Sequence, residues 1–167
     1  ESPIVNNVLY LICVTIFVVS IKKIKKIMFS QNRQQLRQYY HDTWQKRQSN
    51  QSLLPLEIII CQVIEQHPEY HVIFDTTSNL EQEYFVENGQ SNPYLHMGLH
   101  ISLHEQISTD RPPGIRAIYS QLQVKYSNAH ETEHEMMECL TESLWLAQKN
   151  NLPPSEENYL AALKALL

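Results

Sequence analysis

Seven of the eight histidines in this sequence have another histidine four residues away. The pairs are His67/His71, His96/His100, His100/His104 and His130/His134. Random placement over the chain would give about 0.4 such pairs. On an α-helix a spacing of four stacks side chains along one face. Helical bundles build metal sites in this way, with facing helices projecting histidines and carboxylates inward. Imidazole suits zinc, iron, nickel or copper, and a mixed histidine and glutamate shell suits zinc or iron.

Position around each helix sharpens the choice. At about 100° per residue, Leu95, Leu99, Leu103 and Ile107 form an apolar arc, with His96 and His100 at its edge. His104 falls further round, toward solvent. Further on, Met136, Met137, Leu140, Leu144 and Ala147 form a second arc, again bordered by a pair, His130 and His134. Glu138 continues that row as H-x3-H-x3-E. The expected ligands are therefore His96, His100, His130 and His134, with Glu138 next. His67, His71 and His104 are further candidates, although Pro68 interrupts the helical geometry around His67, Glu69 and His71.

"HETEH" at 130–134 also matches the zincin pattern HExxH, in which Glu131 would be the base beside a zinc held by His130 and His134. Against it, the motif opens its helix and has no identifiable third ligand downstream. The structural alternative for all these residues is plain. A histidine at the border of an apolar face commonly bonds a backbone carbonyl or a neighbouring carboxylate.

Other reactive groups are sparse. Cys13, Cys61 and Cys139 lie far apart with no CxxC pair, which excludes a disulfide framework or thiolate zinc site and indicates a reducing compartment. Cys139 has no evident activating base, so a thiol nucleophile is not expected. Asp110 and Arg111 read as capping and ion-pairing residues. Trp44, Trp145 and the tyrosines read as core or half-core. No glycine loop that could cradle a phosphate exists.

The elements that must position the histidines are helical. Three glycines in 167 residues, with long runs between turn signals, disfavour a sandwich or barrel. Helices are expected over 30–48, 53–66, 93–108, 114–126, 128–148 and from Ser155 onward. A small helix is expected over 79–87, and "HVIF" reads as a short extended piece or one more helical turn. Asn92, Asn128 and Ser155 are the expected caps. The fold class is all-α, a compact helical bundle of about five to seven helices forming a single domain over 28–167.

Residues 1–27 read differently. The stretch from Ile4 to Ile21 is uncharged and is followed by "KKIKKI". It is at the short end for a transmembrane helix, and the basic flank would leave 28–167 in the cytoplasm. The alternative makes 1–27 an upstream extension and Met28 the start. Either reading makes the body cytoplasmic, with a membrane partner only if 1–27 are retained. Lys22, Lys23, Lys25 and Lys26 concentrate positive charge there, so the body carries 9 Lys and Arg against 17 Asp and Glu. An acidic body without a basic stripe excludes nucleic acid as a partner.

The stretches "NPYLHMGLHISLHEQISTDRPPGIRAIY" and "AHETEHEMMECLTESLWLAQKNNLPP", with "HPEYH" and "MFSQNRQQLRQYYHDTW", resemble an uncharacterised proteobacterial family, domain of unknown function 1841. The resemblance covers 28–167 and implies no activity, cofactor or partner. The function expected from the residues is therefore a transition-metal site, zinc or iron, built from two HxxxH helices. An enzyme built on it would be a metal-dependent hydrolase or oxidoreductase. The opposing expectation is a non-catalytic interaction or regulatory module whose histidines are structural.

Overall fold

A computed structural model describes residues 33–75, 80, 82, 84 and 91–167. The expectations for residues 1–27 and most of that for a helix over 79–87 lie outside these. Among the described residues there are seven α-helices, a single 3-10 turn and no strand, as the sequence predicts. The helices are α1 (Arg33–Gln48), α2 (Pro55–Glu65), α3 (His71–Phe74), α4 (Pro93–Thr109), α5 (Ile115–Tyr126), α6 (Ala129–Asn150) and α7 (Glu156–Ala165), and the 3-10 turn is Pro68–Tyr70. None of the described helices is long and apolar enough to cross a membrane. Backbone contacts group the chain into two units, one ending at Ile101 and the other running from Ser102 to Leu167, so the division falls inside α4.

In the first unit α1 packs on α2 and α3. Of the stripe that the periodicity predicts, Leu36, Tyr40 and Trp44 are buried and Tyr39 is half-buried. Between them α1 also buries His41, Thr43 and the guanidinium-bearing Arg37. Pro55 opens α2, where its missing N–H costs nothing. Buried Glu57 then accepts from the Leu54 N–H at 2.8 Å and from Lys46 Nζ at 2.6 Å, joining the start of α2 to the end of α1. The helix stops before Pro68, which disfavours helical geometry in the residue preceding it. "HVIF" forms a single helical turn, and its Phe74 packs edge-on against Tyr94 of α4.

In the second unit α6 packs on α5 and α7, and α5 on α7. Ile115, Ile118 and Leu122 of α5 are buried, as the periodicity predicts, and Tyr126, the further inward candidate, is half-buried. Asn128 caps α6 by accepting from the His130 and Glu131 N–H groups, and Ser155 caps α7 through the Asn158 N–H. In the break between α4 and α5, Asp110 Oδ1 accepts from the N–H groups of Gly114 and Arg116 at 3.1 Å. The cation that closes this break is Arg116, bonded to the carbonyls of Ile107 and Ser108, whereas Arg111 is exposed. Trp145, expected in or near the core, is 50% exposed.

The largest departure concerns α4. An apolar arc with a solvated back predicts buried and exposed residues in turn. Instead every residue from Met97 to Leu103 is buried. A helix that is apolar nearly all round is buried all round. His100 therefore does not border a core face; it lies wholly inside.

Candidate metal centre

In the first unit three histidines meet. His67 ends the α2 segment and is buried, with its backbone at φ −123° and ψ 68° as the chain turns into the 3-10 helix. Its Nδ1 lies 2.7 Å from the Val63 carbonyl, one turn back. That bond makes Nδ1 the protonated nitrogen and leaves Nε2 a lone pair. His67 Nε2 lies 2.9 Å from His96 Nε2. The ring centroids of His67 and His100 are 4.7 Å apart, and those of His96 and His100 are 4.9 Å apart. Tyr70 stacks on His67 at 5.7 Å, nearly parallel, and meets His96 edge-on at 5.8 Å. Its hydroxyl reaches Ser91 Oγ at 3.1 Å, just before the Asn92 cap that starts α4. The turn bearing His67 and the helix bearing His96 and His100 are thus fastened together at Tyr70.

The second unit holds the other pair. His130 and His134 occupy successive turns at the start of α6, both half-buried, with ring centroids 4.2 Å apart. Glu131, the base in the zincin reading, is exposed. Glu138 is exposed as well, so the predicted H-x3-H-x3-E row turns outward at its third member. The carboxylate that α6 buries is Glu133. Its Oε2 lies 3.2 Å from His104 Nε2, and its Oε1 lies 3.5 Å from the Tyr119 hydroxyl. Gln123 in turn donates to that hydroxyl at 2.9 Å. Burial first, and then the Glu133 charge and hydrogen bond, push the Tyr119 phenol up to about 12. His104, expected to be solvated, is instead held against a buried carboxylate.

Sequence reasoning passed over Glu133, and a signal for it existed. Counted round α6, Glu133 falls in the middle of the apolar arc between Met136 and Met137. A lone carboxylate on a buried stripe calls for a partner.

The remaining histidines divide by what their rings touch. His71 points Nε2 at the Ile64 carbonyl, 3.0 Å away, and lies against Trp44. His41 is fully buried with Nε2 at 2.9 Å from the Tyr94 hydroxyl. Both are in structural roles. Away from the histidines, a cavity of about 290 Å³ between α6 and α7 is lined by Cys139, Glu142, Leu146, Leu152 and Asn158 among others. Burial, and then Glu142, raise the Cys139 thiol, so it supplies no thiolate nucleophile.

Histidine and glutamate groups of this kind could hold a metal ion. The donor chemistry fits a borderline transition metal, because buried imidazole nitrogens dominate it and hard oxygen donors are few. Residues 32–165 match a family described as Domain of unknown function (DUF1841). No curated protein and no solved structure matches the chain.

Proposed function

From a chain that belongs to the DUF1841 family, whose description names no activity, we propose a transition-metal-binding function. Zinc or iron is held by His67, His96 and His100, the three histidines that meet in the first unit. The observation that carries this reading is the 2.9 Å approach of the His67 and His96 Nε2 atoms, with His67 Nδ1 already bonded to the Val63 carbonyl. A histidine ligand commonly gives its other ring N–H to a carbonyl or carboxylate, which fixes the tautomer and aims the free nitrogen. With metal–nitrogen bonds of about 2.0–2.1 Å, two nitrogens at that separation subtend about 90° at an ion, as neighbouring ligands do. Three histidines leave the fourth position of a tetrahedral ion open.

An ion in such a position would activate water, and a carboxylate would serve as base. An enzyme built on this chemistry would be a metal-dependent hydrolase or oxidoreductase.

The test is thermal melting of untagged, chelator-treated protein with and without added zinc or iron(II). An ion at 100 times its Kd stabilises the fold by about 2.7 kcal/mol. The melting temperature should rise for the natural protein and stay put for His67→Ala and His100→Ala. A protein indifferent to both metals, with a harmless His100→Ala, would instead be an interaction or regulatory module with structural histidines.

A further inference from the structure

We propose that the cavity between α6 and α7 is a binding site for a small organic cation, a primary ammonium compound with an apolar body. The cavity lies wholly within the unit that runs from Ser102 to Leu167, and the inference is independent of the metal reading. Its volume is about 290 Å³. An apolar cavity of about 150 Å³ holds one benzene ring, so a molecule of roughly six to eight carbons fits this one.

The space arises from the way α6 gives way to α7. Asn151 ends α6 in the left-handed region at φ 53°, and the chain turns through Pro153 and Pro154 before the Ser155 cap. The short side chains of Ser143, Ala147 and Ala162 leave the angle between the two helices unfilled. Buried Ala147 and Tyr159 form the floor. The Tyr159 hydroxyl is committed to Gln106 Oε1 at 3.0 Å, so this residue offers a ligand its ring. Leu146 and Leu152 are exposed at the mouth. Exposed large apolar side chains beside a concave, mostly apolar space are what a ligand's hydrocarbon body covers.

Charge selects the other end of the ligand. The charged residue in the lining is Glu142, and no lysine, arginine or histidine joins it among the described residues. Arg111 lines a different, smaller recess of about 40 Å³, which also holds the Glu156 carboxylate. The negative field reaches into the cavity. After burial, Glu142, Glu135 and Glu138 are what raise the Cys139 thiol, which lines it. A carboxylate or phosphate ligand meets that field unopposed. An ammonium at the Glu142 rim is attracted and keeps its contact with water. The side-chain amides of Asn150 and Asn158 add acceptor oxygens in the lining for its N–H groups.

The experiment titrates ¹⁵N-labelled full-length protein with hexylammonium, hexanol and hexanoate and follows backbone amide shifts by NMR. The proposal expects saturable shifts confined to residues 139–162, with hexylammonium binding tightest and hexanoate weakest. Glu142→Gln should weaken hexylammonium by roughly two- to fivefold, the range of an exposed ion pair, and leave hexanol unchanged. Ala162→Leu fills the cavity and should abolish binding of both with little change in melting temperature. Ser143→Leu fills the same space from α6 should Ala162→Leu fail to fold. Absence of saturable shifts with any of these compounds, or shifts that survive the filling substitution, overturns the site. Hexanol or hexanoate binding as tightly as hexylammonium overturns the assignment of a cation. Neither result bears on the metal reading, whose ligands lie in the other unit.

Discussion

One residue type plays opposite parts in this molecule, and the neighbours of each ring decide which. His67 has one nitrogen committed to a backbone carbonyl and the other facing a second imidazole, which suits a ligand. His41 is enclosed by Phe74 and Tyr94 rings, with its Nε2 on a hydroxyl. Burial there lowers the His41 pKa from its ordinary 6.5. The folded state thus binds the His41 proton less readily than the unfolded chain does. Its contribution to stability is present above about pH 6.5 and is lost as pH falls toward the depressed folded value. Melting temperatures measured from pH 7.5 down to 5 should show this decline, and His41→Gln should flatten it at the cost of a lower plateau. A decline of equal steepness in the variant would refute the assignment to His41. Cys61 gives a second prediction at this scale. Burial pushes its thiol up to about 11, so a thiol reagent at pH 8 should leave it unmodified until the protein is unfolded. Rapid labelling of Cys61 in the native protein would contradict that.

At the scale of elements, the caps matter because they start the helices that carry the histidines. Asn128 takes the first N–H groups of α6, one of them that of His130, and its carbonyl accepts from the Thr132 hydroxyl. Asn128→Ala should cost about 1 kcal/mol of stability. Denaturant titration of the variant checks this; an unchanged midpoint would mean that the cap contributes nothing. This cap, like Asn92 and Ser155, was legible in the sequence because a short polar acceptor before an apolar period has few other uses. Helix periods and the break at Pro68 were legible for the same local reason. The burial of α4 on every side from Met97 to Leu103 was not. Periodicity reports one face, and a helix covered on every side shows instead as weak periodicity in an apolar segment. The meeting of His67 with His96 was not legible either, because it depends on a turn after Pro68 that no spacing rule describes. Spacing alone points to Glu138, whereas position in the apolar arc points to Glu133.

At the scale of the molecule, each unit has its own packed interior. Phe74, Ile64 and Met97 fill the first, and Leu122, Leu144 and Leu163 the second. Truncation of one fully buried leucine, Leu122→Ala, should cost roughly 2–5 kcal/mol. That would remove a large share of the stability typical of a domain of this size. Denaturant unfolding followed by far-ultraviolet circular dichroism measures it, and a cost below about 1 kcal/mol would mean that the site relaxes or was never close-packed. The central claim is that buried histidines drawn from several helices hold a transition metal. The most direct measurement is elemental analysis of the full chain purified without a histidine tag, alongside His67→Ala and His100→Ala. The account predicts at least one zinc or iron per natural chain and a marked loss in both variants. Metal far below one per chain, unaffected by either substitution, would contradict it.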